Sequence, residues 1–298
     1  MKGAKTGLII TVFLILYFPT ALFTQELSLE NLPSWLILEY GKHAFNNGEF
    51  GLALEYGRRA IEKEEVYPEA DMLIGAVFKE QGESELAIRQ YQKAYENRNY
   101  LYIPEERFSI LYTMAELYEQ KKLYSQMENI WKMIVEEDGD FSAPESENLK
   151  AAMIRILKEE GLDKMVTLYR LENKFSLEAH SRLGIFYYTN GLNYRALQHL
   201  IFNVLTVFSV SIQELRRFNP SYEFADTVEF FQLTLKNERL RSYLISTEFF
   251  KNLYYLGTVL YKEGALKEAS YIWKLVSDYS LSSYWAERAF REPGNTVY

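Results

Sequence analysis

Two stretches decide the fold. The first reads Tyr40-Gly41-Lys42-His43-Ala44, continues to Gly48 and Phe50, and places Ala53 and Ala60 beyond. The second reads Ile74-Gly75-Ala76-Val77-Phe78, with Gly82, Ala87, Tyr91 and Ala94 following, so that Gly82 repeats Gly48 thirty-four residues later. The same phrase returns at Met114-Ala115, Tyr118, Lys122, Tyr124, Met127 and Trp131. It returns again at Leu183-Gly184, Tyr187, Gly191, Ala196 and Leu200, and at Leu256-Gly257, Leu260, Gly264, Leu266, Ala269 and Trp273. A weaker fourth copy passes through Met153, Leu157, Gly161 and Val166. Self-similarity at such a period is the mark of a repeat architecture.

Apolar residues at helical spacing line one face of a helix, and small ones let two helices approach closely. Gly41, Gly75, Ala115, Gly184 and Gly257 supply the close contact on a first helix, and Ala53, Ala87, Ala196 and Ala269 answer on a second. Gly48, Gly82, Gly191 and Gly264 follow the first helix, where a left-handed residue is cheapest as glycine. Tyr91, Trp131 and Trp273 share one position on the second helix and are packing residues. A lone hairpin orders some thirty residues at roughly 1–2 kcal/mol of backbone entropy each. Its few buried side chains return only about 1.5–3 kcal/mol apiece, so the hairpins must stack.

Over Ser34 to Tyr279 the pattern resembles the tetratricopeptide repeat family, in a secreted or periplasmic bacterial form. The resemblance implies an all-α fold, an α-solenoid in which stacked helix-turn-helix hairpins wind into a right-handed superhelix whose concave groove binds a peptide or helix of a partner. The spacing departs from the family period between Gly82 and Lys122 and again up to Gly161, and the fourth copy lacks both the glycine and the alanine. Residues 34–281 are expected to hold six to seven repeats, with 204–250 a degenerate repeat, or else an inserted helix pair. Residues 282–298 are expected to form a capping helix, Ser282 to Phe290, and a tail.

Lys2 and Lys5 precede the apolar run Leu8 to Phe18, and the uncharged stretch continues to Phe23, broken by Pro19. It is shorter than the roughly 20 residues of a spanning helix and carries a basic start, the pattern of a secretory signal. Residues 1–24 are therefore expected to be a signal peptide or a retained N-terminal membrane anchor, followed by a linker at 25–33. The body is expected in the periplasm, with membrane contact only through an uncleaved N-terminal segment.

The chain has 298 residues, a formal charge of −8 and no cysteine. The charge has the wrong sign for a nucleic-acid partner, and the cysteine count removes disulfides, thiolate nucleophiles and cysteine zinc sites. No hydrolase elbow, zinc-protease motif or phosphate-binding loop occurs. His43, His180 and His199 share no helical face, and pairs such as Glu64-Glu65 and Glu159-Glu160 point in different directions on a helix. No catalytic residue, metal site or cofactor is expected.

The positions of first helices that face the concave side are Trp35, Leu38, Lys42 and Phe45; Met72 and Lys79; Tyr112, Glu116 and Glu119; Arg155 and Lys158; Tyr188; and Tyr254, Thr258 and Tyr261. Aromatics, methionine and arginine are enriched where proteins meet. The expected function is a non-enzymatic interaction scaffold of the cell envelope with a protein or peptide partner. The alternative is a periplasmic accessory protein of a transport system, holding a small hydrophobic molecule in a closed, dry cavity.

Overall fold

The computed structural model describes residues 31–139, 141, 146–172 and 174–293. The expected N-terminal signal or anchor, most of the linker and the last five residues of the tail lie outside them. The described chain is all α: α1 (Ser34–Asn46), α2 (Phe50–Lys63), α3 (Pro68–Glu80), α4 (Ser84–Glu96), α5 (Glu106–Gln120), α6 (Tyr124–Glu137), α7 (Ser146–Glu159), α8 (Leu162–Leu168), α9 (Leu177–Thr189), α10 (Asn193–Phe218), α11 (Thr227–Thr234), α12 (Glu238–Ser246), α13 (Phe249–Lys262), α14 (Leu266–Tyr279) and α15 (Ser283–Phe290).

Five helical hairpins form the stack: α1/α2, α3/α4, α5/α6, α9/α10 and α13/α14. The small residues act as their spacing implies. A Cβ on Gly184 would lie 2.7 Å from Leu200 Cγ, and one on Gly41 would lie 2.6 Å from Leu73 Cδ2. The turn glycines 48, 82, 191 and 264 have φ between 75° and 81°, and Lys122 fills the same slot at φ 58°. Each second helix then packs on the next first helix, as α2 does on α3 and α4 on α5.

At the fourth copy the succession breaks. α6 packs on α9, while α7 and α8 lie against α10. Without the close-contact glycine or alanine, and with α8 only seven residues long, this pair cannot fill a place in the stack. It is held instead against the second helices. Glu268 on α14 accepts the Leu162 N–H at 2.8 Å, and Asp163 accepts the Thr227 N–H at 2.9 Å and the Tyr271 hydroxyl at 3.1 Å.

The region 204–250 holds the second half of α10, then α11 and α12, two short helices wrapped on its end. The 26-residue α10 is long and apolar enough to cross a membrane, but it is buried within the fold. Its Phe208 ring meets Phe230 at 4.8 Å and Phe249 at 5.3 Å, tying α11 and α13 to it. At the far end α15 packs on α13 and α14.

Candidate partner-binding groove

With α7 and α8 outside the stack, the first helices α5, α9 and α13 come into register along one face. Two clefts open there. The larger, about 590 Å³, has α6 as one wall, with Met127, Glu128 and Trp131, and α9 as the other, with Arg182, Ile185 and Phe186; Glu119 and Lys251 stand at its margins. The smaller, about 330 Å³, lies among Tyr112, the start of α9 and the α12–α13 corner, with Asn203 of α10 in its lining. Arg182 borders both, so the two clefts adjoin.

Ion pairs close on themselves here. Arg182 pairs with Glu178 one turn away at 3.2 Å, and Lys251 pairs with Glu248 at 2.7 Å. Glu128 accepts the Tyr187 hydroxyl at 3.0 Å and holds Lys132 at 2.6 Å; these two partners keep its carboxyl below the usual range against the opposing effect of burial. Tyr112 donates to the Phe175 carbonyl at 2.6 Å and accepts the Ala179 N–H at 3.2 Å, with its ring 5.4 Å from Trp131. Burial pushes its hydroxyl pKa upward, so it stays protonated.

The groove positions expected from the repeat register separate into several groups. Tyr112 and Glu119 line the clefts. Lys79 and Glu116 form an ion pair at 3.0 Å between α3 and α5, at the same face. Trp35 and Lys42 are exposed on α1, Lys42 bound to Glu39 at 2.8 Å, while Phe45 lies against Phe50 and Met72 is half-buried against the core. Tyr188 is half-buried, its ring 5.5 Å from Tyr255 and under the Lys262 ammonium. Tyr261 rests on Trp273, and the Thr258 hydroxyl is turned to the Tyr254 carbonyl.

Four positions need correction. Leu38 is 3% exposed and belongs to the core between the first two hairpins. Tyr254 is 2% exposed because the capping helix covers it: Trp285 packs on the ring and the hydroxyl bonds Glu292 and Arg288. Arg155 and Lys158 leave the groove with α7, and Lys158 pairs with Glu263 at 3.0 Å instead.

Residues missed from the sequence include Ile185, Phe186, Arg182 and Lys251. The register contained a signal for two of them. Ile185 follows Gly184 as Lys42 follows Gly41, and Lys251 precedes Gly257 by six residues as Trp35 precedes Gly41.

Also unforeseen is a histidine pair. His180 and His199 lie on facing helices of one hairpin, with their Nδ1 atoms 3.1 Å apart. Phe141 covers both rings, and the buried Lys150 ammonium sits 3.7 Å above Phe141. Burial, then the Lys150 charge, lowers the pKa of His180 to about 3, and burial with the neighbouring His180 lowers that of His199. Both are neutral at neutral pH. Among the described residues no group of three metal-ligating side chains converges.

No family model matches the chain. Among curated proteins it is 25% identical over 256 residues to an uncharacterized protein of Treponema pallidum, covering 85% of this chain and 67% of that protein. It is 24% identical over 294 residues to an uncharacterized protein of Borreliella burgdorferi, covering 89% and 90% respectively. Among solved structures it is similar to a tetratricopeptide repeat protein from Parabacteroides merdae, at 14% identity, TM-score 0.31, and coverage of 87% of this chain and 97% of that one. It is also similar to yeast Tom70, at 13% identity, TM-score 0.32, and coverage of 86% and 68%. The solenoid assignment rests on the hairpins themselves.

Proposed function

We propose that this chain is a non-enzymatic protein-interaction scaffold of the bacterial cell envelope, exported by its apolar N-terminal segment, and that it holds a peptide or helical segment of a partner in the groove along α5, α9 and α13. The observation that carries the proposal is the pair of adjoining clefts, in the larger of which Ile185 and Phe186 are half-buried beside Met127 and Trp131, with ion pairs at the margins. An apolar floor with a polar rim is the anatomy of a protein interface. The uncharged stretch Leu8 to Phe23 after two lysines supports export. The spaces of several hundred Å³ among the described residues are open clefts, whereas a carrier of a small hydrophobic molecule needs an enclosed one.

The test is a photoreactive residue at Phe186, crosslinked in intact envelopes and compared with the same probe at Lys274 on α14, an exposed position outside the clefts. A protein adduct formed at Phe186 and not at Lys274 is the expected result. Equal labelling at both positions would sink the proposal.

A further inference from the structure

A buried hydrogen-bond acceptor in the lining of the smaller cleft has no donor among the described residues. Asn203 is 1% exposed, and its Nδ2 donates one hydrogen to the Leu177 carbonyl at 2.9 Å, which orients the amide and leaves Oδ1 and the second Nδ2 hydrogen. That oxygen has no hydrogen-bond partner among the described residues. Buried polar atoms are nearly always paired, and one left unpaired calls for an explanation. The hydroxyl protons around it are already committed: Ser181 donates to Asn252 Oδ1 at 2.6 Å, Thr247 to the Tyr243 carbonyl at 2.9 Å, and Ser246 to the same carbonyl at 3.0 Å. Each of these oxygens keeps lone pairs and offers no donor.

The charged groups extend the pattern. Glu178 and Glu248 each hold their cation through one carboxylate oxygen, Arg182 through Oε1 and Lys251 through Oε2, and the second oxygen of each takes part in neither pair. Arg182 is the cation among the cleft's lining residues, and its Nε and Nη2 donate to Glu178 Oε1 at 3.3 and 3.2 Å, which ties the guanidinium to its own helix. Two aromatic residues, Phe175 and Tyr112, and Leu177 complete the lining.

We infer that this cleft is an anchor pocket for a basic side chain, arginine or lysine, of the segment held in the groove. The inference rests on the scaffold reading and gives its partner a chemistry. Arginine and lysine are donors with no acceptor, and a cation beside aromatic rings is further stabilised. A cleft of about 330 Å³ is at the small end of ligand-sized sites, suited to one long side chain while neighbouring residues of the segment lie on Ile185 and Phe186. A chain of net charge −8 also favours encounter with basic partners.

The test titrates the full chain with the blocked amides N-acetyl-arginine amide, N-acetyl-lysine amide, N-acetyl-glutamine amide and N-acetyl-norleucine amide, read by saturation-transfer NMR. Arginine and lysine should bind saturably and at least tenfold more tightly than glutamine, with norleucine absent. Asn203→Leu should weaken arginine at least tenfold. Because that substitution also loses the bond to Leu177, the exposed Glu178→Gln serves as the second variant and should weaken arginine about threefold with the melting temperature unchanged. Absence of saturable arginine binding, equal binding of glutamine or norleucine, or arginine binding unmoved by both variants would overturn the inference. The Phe186 crosslink separates the two claims. An adduct there without arginine binding sinks the pocket and leaves the groove, whereas arginine binding weakened in both variants, with no Phe186 adduct, keeps the pocket and removes the scaffold reading.

Discussion

Glu268 joins the displaced α7–α8 pair to the end of the stack, and its charge there is unfavourable. Burial raises its pKa from 4.5 to about 7, helped by the Asp163 charge and opposed by the Leu162 N–H and Lys267. The folded chain thus keeps a proton that the unfolded chain has lost between pH 4.5 and 7. The contribution of this carboxyl to stability is fullest below pH 4.5, falls as pH rises through that window, and stays reduced above pH 7. A shift from 4.5 to about 7 corresponds to about 3.4 kcal/mol, which we discount to about 2 kcal/mol for the part of the carboxyl that remains solvated. Glutamine retains an oxygen for the Leu162 N–H and carries no charge. Glu268→Gln should therefore stabilise the protein by about 2 kcal/mol at pH 8 and by nothing at pH 4, measured by urea unfolding with tryptophan fluorescence. Trp273 lies on the same helix as the substitution and reports the region directly. A variant no more stable than the parent at pH 8, or a gain independent of pH, would refute the buried, proton-holding role of this carboxyl.

Three further outcomes follow from the packing. Lys122 takes a left-handed conformation where four other turns use glycine, so Lys122→Gly should raise stability by about 1 kcal/mol; a loss in thermal melting would show that its side chain matters more than its backbone. Gly184→Ala would place a methyl 2.7 Å from Leu200 Cγ and 3.3 Å from the Leu200 nitrogen, and should cost roughly 1–3 kcal/mol, with unchanged melting disproving close approach in that hairpin. The depressed histidine has the opposite sign to Glu268. His180, lowered from 6.5 to about 3, makes the unfolded chain the better proton binder below pH 6.5. In the Glu268→Gln background stability should fall by about 2 kcal/mol from pH 7.5 to pH 5 on its account, and a flat urea-midpoint profile across that window would show the pair to be solvated.

The hairpins could be read from the sequence because their requirements are local. Gly41, Gly75, Gly184 and Gly257 each meet a side chain of the partner helix at or inside contact distance, and the period carried that demand in plain view. The groove was harder, since a register position says which way a side chain leaves its helix and not what arrives to cover it. Tyr254 and Leu38 occupy equivalent positions, and both are covered, one by the capping helix and the other by the neighbouring hairpin. Tyr112 occupies the same position and is left at the rim of a cleft. The pairing of His180 with His199 needed the hairpin geometry, because nineteen residues of sequence separate two side chains that touch.

The fourth copy shows how a weak repeat can shape a binding surface. It lacks the small residues that let two helices approach, and its second helix is too short to cover a neighbour. Left in line, it would separate α6 from α9 and leave apolar surface on both without a close partner. Moving it onto α10 brings α6 and α9 together, and the long α10 supplies the length needed to receive α7 and α8 as well as α11 and α12. The ends of this arrangement are fixed by polar contacts, Glu268 with the start of α8 and Asp163 with Thr227 and Tyr271. α9 thereby stands next to α5 and α6, with Arg182, Ile185 and Phe186 directed along the seam. The same degeneracy that weakens the repeat signature at Met153 to Val166 accounts for the place where the groove opens.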